Sequence, residues 1–498
     1  MEYVIGLDLG TSSIKGILTD RQGTIAAEES ESYPIYHEQD GHSEQDPEDW
    51  VRQTKSVLKK LIQNNNLDGG DIKGISFSGQ MHGLVLLDGD HNPLRRAILW
   101  NDTRTSREVK EIEEAVGQEK LWEITKNSPL EGFTLPKILW VKKHEPDVFA
   151  RAEMFLLPKD YVRYRLTGQA GMDLSDAAGT LLMDLNTNEW STAVLEAFDL
   201  PSSLCPPLFP ATEHCGGMLE EAAQETGCSS SVMIFAGGAD NACGAVGAGI
   251  LEKGKTMCSI GTSGVLLSYA GGEKTHFNGK LHFFNHAPAD TYYAMGVTLA
   301  AGYSLQWFKE NFLKDDDFSE MVQKTESVPA GARGLLFTPY ITGERTPHND
   351  ALARGSFIGM DSSHTKNEFV KAIMEGITFS LKESLNLIEQ NGMGVDTIVS
   401  IGGGAKSKAW LQMQADIFGK EVVSLRNEQG PAMGAAIIAA AGCGWFESLQ
   451  EAAVVFVQND VSVMPDPEKT KRYEQIFALY QQVYTQTKDI TKQLAAFR

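Results

Sequence analysis

Residues 3–19 place one carboxylate, Asp8, near the end of the apolar run Tyr-Val-Ile-Gly-Leu-Asp-Leu, and follow it with Gly10, Thr11, Ser12 and Ser13 before the apolar pattern resumes. Strand, polar turn, strand is the grammar of a hairpin. A glycine at position 10 can take backbone angles closed to other residues. The amides and hydroxyls of Thr11, Ser12 and Ser13 can then converge on anionic oxygens, as backbone nests do. The chemistry on offer is phosphate handling, with Asp8 facing the phosphate through a cation. An ordinary hairpin with a polar tip has the same pattern, and a second segment shifts the balance. Residues 256–268 read strand, Gly261-Thr262-Ser263, strand, with Ser259 in the place of Asp8. Two Gly-Thr hairpins half a chain apart describe duplicated halves that face each other across a nucleotide's phosphate tail. Only the first keeps an acid, so the chemistry leans toward the N-terminal half.

Three further segments could contribute. Asp240, followed by Asn241, comes after the paired glycines 237 and 238 at the end of a strand. It can cap a helix, act as a base, or do both. Gly79-Gln80-Met81-His82-Gly83 offers an imidazole that can donate to or accept from a hydroxyl beside a soft apolar wall from Met81. A Met-His pair between glycines is on its own weak evidence of binding. Gly402-Gly403-Gly404-Ala405-Lys406 follows a strand and precedes a helix, a placement that brings a ligand against backbone near a helix N-terminus.

The elements that must position these residues can be read from periodicity. Asp20-Arg-Gln-Gly23 is a turn, and 24–28 is a third strand closing an antiparallel meander. Asp46-Pro47 reads as an N-cap with proline at the first helical position, and Trp50, Thr54, Val57, Leu58 and Leu61 follow at helical spacing. Strands are predicted at 72–78 and 84–87. In the second half, Thr365-Lys-Asn-Glu368 has capping-box spacing and opens a helix to about residue 389 with the stripe Phe369, Ile373, Ile377, Leu381, Leu385. A strand at 398–401 and a helix from near Ser407 follow. The pattern is mixed α/β in layers, without the purely parallel grammar of a dinucleotide fold. The boundary is expected near 245–253, giving units of 1–248 and 249–498, the second ending in a helical tail.

Composition narrows the function. The chain of 498 residues carries a formal charge of −22 and a pI near 5.0. Such a surface repels nucleic acid and anionic membranes. The start of the chain has no basic, apolar leader pattern, and its most apolar late stretch, 432–441, is far below the ~20 residues of a membrane span. A cytoplasmic protein is expected. Six scattered cysteines form no Cys-x-x-Cys pair, so neither a disulfide framework nor a zinc site is indicated.

Taken together, and with residues 132–140, 340–350 and 355–360, these segments resemble the FGGY family of sugar kinases, within the superfamily of actin, heat-shock-protein and hexokinase ATPases. The resemblance runs from about residue 3 to about residue 445. It implies an α/β fold of two ribonuclease H-like (actin-like ATPase) domains flanking a nucleotide cleft, with ATP and Mg²⁺. The N-terminal domain would hold sugar and catalytic acids, and the C-terminal domain adenosine. Asp240 is implied as the catalytic base, and Asp8 and Asp240 as the acids that hold the metal. Gln80, Met81, His82, Trp100, Asp240 and Asn241 are implied on the acceptor sugar. Gly10, Thr11, Ser12, Lys15, Gly261, Thr262 and Ser263 are implied on the phosphates, although Lys15 also reads as a surface lysine. Gly403, Gly404 and Ala405 are implied on the nucleoside, with 430–436 as the helix start near the base. Asn101, Asp102 and Arg104 line or brace the acceptor pocket. The Met81-His82 pair implies D-xylulose as acceptor; another ketopentose or a polyol is the alternative. A homodimer is left open. A free carboxylate of pKa ~4 is too weak to ionise a sugar hydroxyl beforehand, so proton transfer is expected late. An ATP-driven shape switch on the same fold has no need of a general base beside a sugar pocket.

Overall fold

The computed structural model describes residues 1–497. Its first half is built on a meander of β1 (Tyr3–Leu9), β2 (Ser13–Thr19) and β3 (Ile25–Ser32), all antiparallel. The third strand outlasts the 24–28 expected for it, because its alternate residues keep one face against a helix and the other in solvent. Beside β1 runs β4 (Ile72–Gly79), in parallel, and β4 also carries the short parallel strands β5 (Met233–Ile234) and β6 (Gly238–Ala239). The order is β5–β4–β1–β2–β3. Helix α1 (Pro47–Gln63) starts where the sequence predicts, with the Asp46 side chain accepting from the Glu48 amide at 3.0 Å, and buries Trp50, Val57, Leu58 and Leu61. Helices α2 (Pro158–Thr167), α3 (Leu174–Ala178) and α4 (Asp240–Gly247) gather near the carboxyl ends of β4 and β6.

The second half repeats the plan. Its strands are β7 (Gly254–Ile260), β8 (Gly264–Gly271), β9 (His282–Asn285), β10 (Tyr292–Thr298), β11 (Val395–Gly402), β12 (Glu421–Leu425) and β13 (Asn459–Val463), in the order β9–β10–β8–β7–β11–β12–β13. As β1 does with β2 and β4, β7 pairs antiparallel with β8 and parallel with β11. The register matches as well. Leu9 lies opposite Gly79 in one half and Ile260 opposite Gly402 in the other. The Met-His turn and the triple-glycine turn are therefore one topological position, used twice.

Helices α5 (Gly302–Phe312), α6 (Lys366–Gln390) and α7 (Lys408–Phe418) cover this sheet. The capping box of α6 is present, with the Thr365 amide donating to Glu368 at 2.9 Å. The expected single stripe becomes a helix buried on most sides, because α6 lies between β8 and β10 on one face and α5 and α7 on others. The chain's end is more than a helical tail: β13 forms an edge of the sheet, and the last long helix, Pro467–Leu494, packs on α7.

Helix α8 (Pro431–Gly442) is the alanine-rich stretch noted above, and it crosses between halves to pack on β1, β4 and α4. The approach is close enough to require glycine. A Cβ on Gly6 would lie 2.0 Å from the Ala432 carbonyl, and one on Gly434 would lie 1.8 Å from that of Cys243. Helix α9 (Pro467–Leu494) follows. Among the described residues no helix is long and apolar enough to cross a membrane.

Candidate active site

Asp8 and Asp240 stand at the carboxyl ends of β1 and β6, with only β4 between them, the edge of an α/β sheet where ligands collect. The Ser78 hydroxyl donates to Asp8 Oδ1 at 3.0 Å. Asp240 opens α4, and its Oδ1 accepts from the Asn241 amide at 2.7 Å and from Asn241 Nδ2 at 3.0 Å. Burial lifts the Asp8 carboxyl to about 6, against the Ser78 hydrogen bond and the Lys15 charge. Asp240 is lifted further, to about 7, by burial first and then by the charge of Asp8, with the Asn241 amide opposing. This departs from the ordinary carboxylate expected at Asp240, and the cause is that its surroundings withhold water without supplying a cation.

Below Asp240 lies a buried ionic cluster that no motif announces. Lys159 Nζ reaches Asp160 at 2.8 Å, Asp173 at 2.6 Å and Asp176 at 3.0 Å, every group shielded from solvent. Burial works against the Lys159 charge, but the three carboxylates outweigh it and hold its pKa well above the usual value. The Lys159 ammonium occupies the space between three clustered acids that would otherwise suit a metal ion. From Asp173 the network continues through the Ser175 hydroxyl, which donates to Asp173 and accepts the Ala239 amide at 2.9 Å. The peptide just ahead of Asp240 is thereby tied to the cluster.

The two hairpins differ by one residue at the tip, four residues joining Leu9 to Ile14 and three joining Ile260 to Gly264. Gly10 N donates to Ser13 O at 3.0 Å, and Gly261 N donates to Ser263 O at 3.0 Å. Neither glycine adopts a positive φ, so the expected use of Gly10's conformational freedom is not what the turn needs; a Cβ there would instead come within 3.1 Å of the Ser13 carbonyl. Thr11 Oγ1 accepts from Trp100 Nε1 at 2.9 Å, and its carbonyl accepts from Gln45 Nε2 at 2.7 Å. Ser12, Thr262 and Ser263 are exposed. Lys15 hydrogen-bonds Gln429 and lies 3.4 Å from Glu28, so its ammonium joins the halves.

A cavity of about 250 Å³ opens between the halves, lined from one side by Met81, His82, Trp100, Phe133, Asp240 and Asn241 and from the other by Ser263, His282, Phe284 and Arg345. His82 is held in a left-handed backbone conformation, φ 67°, an uncommon state that persists only where surroundings over-determine it. Here they do. Its carbonyl accepts from Lys137 Nζ at 2.9 Å and Thr134 Oγ1 at 3.2 Å, and its Nδ1 lies 2.6 Å from Gly179 O. A carbonyl can only accept, so Nδ1 carries the proton and Nε2 is left as an acceptor. Burial, and then the Lys137 charge, push the imidazole well below its usual pKa, keeping it neutral.

Gln80 does not line this cavity; it is buried, donating to Gln45 at 3.0 Å beneath the first hairpin. Asp102 and Arg104 brace rather than line, since Asp102 accepts from the Ser43 amide at 2.6 Å and from the Arg104 guanidinium at 2.7 and 2.9 Å, and Asn101 is exposed. Phe133, Lys137 and Arg345 fall inside segments that the sequence marks without assigning them a role. His282 and Phe284 fall in an ordinary strand with no motif to find.

A second cavity, of about 360 Å³, is lined by Gly261, Thr262, Gly302, Leu305, Gly403, Gly404 and Trp410, among others. Gly403–Ala405 form a single 3₁₀ turn, with Ala405 at its end and Gly404 against Ile260. Gly302, which carries no sequence signal, docks the start of α5 on the hairpin: its amide donates to Gly261 O at 2.8 Å, and that of Tyr303 donates to Thr262 O at 3.1 Å. The turn 261–263 thus borders both cavities, with Ser263 on the first and Gly261 and Thr262 on the second.

Residues 3–247 match the N-terminal domain model of the FGGY family of carbohydrate kinases, and residues 256–443 match its C-terminal domain model. The chain belongs to this family. Curated relatives of this FGGY kinase include the xylulose kinase of Bacillus subtilis, 54% identical over 498 residues with all of both chains covered, and that of Escherichia coli, 37% identical over 97% of this chain and 98% of the other. Among solved structures, a ligand-bound xylulose kinase and a gluconate kinase, both from Lactobacillus acidophilus, each superpose with a TM-score of 0.93 at 28% identity over 98% of both chains. The fold is that of the actin-like ATPases, two mixed α/β domains around a cleft.

Proposed function

We propose that this FGGY kinase transfers the γ-phosphoryl group of ATP to the 5-hydroxyl of D-xylulose, giving D-xylulose 5-phosphate. The observation that carries the reading is the turn 261–263 standing between two cavities, with Asp240 in the first. Whatever phosphate that turn grips has a nucleoside-sized space on one side and a hydroxyl-sized space beside a base on the other. The xylulose kinases of 37–54% identity over nearly the whole chain support the choice of sugar. Since xylulose and gluconate kinases superpose on the fold equally well, that choice rests on the cavity's side chains rather than on the architecture.

Phosphoryl transfer needs in-line positioning and charge neutralisation more than covalent help. In this reading His82 Nε2 accepts from a sugar hydroxyl, Met81, Phe133 and Phe284 exclude water, and Asn241 braces Asp240. Asp240 takes the proton of the attacking hydroxyl as its bond to phosphorus forms. A carboxyl near 7 is better matched to that task than one near ~4, because a base works best with a pKa close to the working pH. The tips of both hairpins donate to phosphate oxygens, and 403–405 flanks the nucleoside. Two carboxylates raised by burial, Asp240 also by the charge of Asp8, form a hard oxygen site in need of a cation, which suits Mg²⁺. Asp8 and Asp240 would hold it, and it would supply neutralisation of phosphate charge. Cleft closure around both substrates excludes water.

The test is ADP release from MgATP with D-xylulose, D- and L-ribulose, xylitol, glycerol and gluconate. Turnover selective for D-xylulose is expected. Preference for another acceptor would replace the sugar in this proposal, and no turnover with any of them would remove the kinase reading of the cleft.

A further inference from the structure

Arg345 enters the acceptor cavity from the C-terminal half, and both neighbours lock it there. The Glu344 carboxylate accepts from the Thr298 hydroxyl at 2.7 Å, the Leu299 amide at 3.1 Å and the Arg345 amide at 2.7 Å. On the other side the Thr346 amide donates to Val297 O at 3.0 Å, and its hydroxyl accepts the Val297 amide at 3.0 Å. The backbone on either side of Arg345 is thus stapled to the end of β10. The side chain so presented is half-buried and has no hydrogen-bond or ion-pair partner among the described residues. Glu344, the nearest acid in sequence, is committed to the staple. A guanidinium carries five donors and no acceptor, and with no protein partner these donors are open to an oxygen-bearing solute in the cavity that Arg345 lines.

Which end of the cavity they serve follows from the neighbours. The Arg345 charge contributes, after burial, to holding His282 and His82 neutral, and it is not among the causes acting on Asp240. It also lines a narrower recess with Leu130, Leu281 and Asn349. Sharing both the cavity and the recess with His282, it sits at the imidazole end. If the transferred hydroxyl of a five-carbon ketose lies at Asp240, its hydroxyketone end lies here.

Resting on the proposed function, we propose that Arg345 determines acceptor specificity by donating in parallel to the carbonyl and terminal hydroxyl oxygens of the ketose. A carbonyl oxygen only accepts and so fits a donor-only fork, whereas an alditol must turn a hydroxyl to fit. Because His82 and Asp240 belong to the other half, a sugar that reaches Arg345 spans the cleft.

The experiment compares Arg345→Lys and Arg345→Met with wild type, each first shown to keep the wild-type circular-dichroism melt. The KM for D-xylulose should rise about tenfold or more in Arg345→Met and less in Arg345→Lys, with the KM for MgATP within about twofold. The kcat/KM ratio of D-xylulose to xylitol should fall toward one. A folded Arg345→Met with unchanged sugar KM and unchanged ratio overturns the assignment, even though wild type phosphorylates D-xylulose. If wild type instead prefers another acceptor, the functional reading fails by itself, and the same KM comparison on that acceptor decides Arg345. Should Arg345→Met alter both substrates' KM equally, Arg345 supports the cleft in general and the specificity role is lost.

Discussion

At Asp240, one residue carries both a stability cost and the expected chemistry. Its carboxyl is near 7 in the folded chain and ~4 when unfolded, so between those values the folded state binds more protons. Stability therefore falls as pH rises from ~4 to ~7 and stays lower above it. Asp240→Asn should melt several degrees above wild type at pH 8, with the gap closing near pH 4, as read by calorimetry at both values. Added Mg²⁺ should raise the wild-type melt more than that of the variant. The same substitution should lower kcat by about 10²–10⁴-fold, the usual worth of a positioned base, while leaving both KM values within a few-fold. Near-normal turnover would remove Asp240 from the reaction. Residues of this kind were legible because glycines and acids at strand ends are unusual and cluster. Their pKa values were not, since burial is a property of the assembled site.

Among the elements, the two ligand turns 79–83 and 402–405 occupy one position of a duplicated plan and have diverged in content. One carries Met81 and His82, whose side chains line the first cavity, and the other carries Gly403 and Gly404, which line the second. Both hairpins and the capped helices could be read from sequence, since each is specified by residues within a few positions of one another. His282 and Phe284 could not, because only the sheet order brings their strand beside the Met-His turn. The Lys159 cluster was illegible because its members are spread over 159–176 and meet only in the assembled fold. Its role is testable through Ser175, which links Asp173 to the Ala239 amide. Ser175→Ala leaves that amide without its partner and should lower kcat by about tenfold, with the sugar KM nearly constant. Ser175→Thr, which retains the hydroxyl, should recover most of the loss. Equal activity in both variants would make the cluster purely structural.

For the whole molecule, the halves meet along α4 and α8, where carbonyls approach Gly434 too closely for any side chain. Even Gly434→Ala should cost several degrees of melting temperature, measured by thermal denaturation, since neither helix can retreat without disturbing β1. The plan of two duplicated halves was readable from the paired Gly-Thr hairpins. What stayed hidden was the cross-over, because α8 is alanine-rich all round and shows no amphipathic face to announce its partner.

That cross-over also bears on dissection. A fragment ending at residue 248 keeps β1 and β4 but loses the helix that shields them, leaving Val4 and the small residues around Gly6 as a bare, adhesive surface. Made alone, it should aggregate. Produced in the same cell with 249–498, it should stay in solution and restore sugar phosphorylation, so the protein is better suited to a split-reporter design than to expression as separate modules.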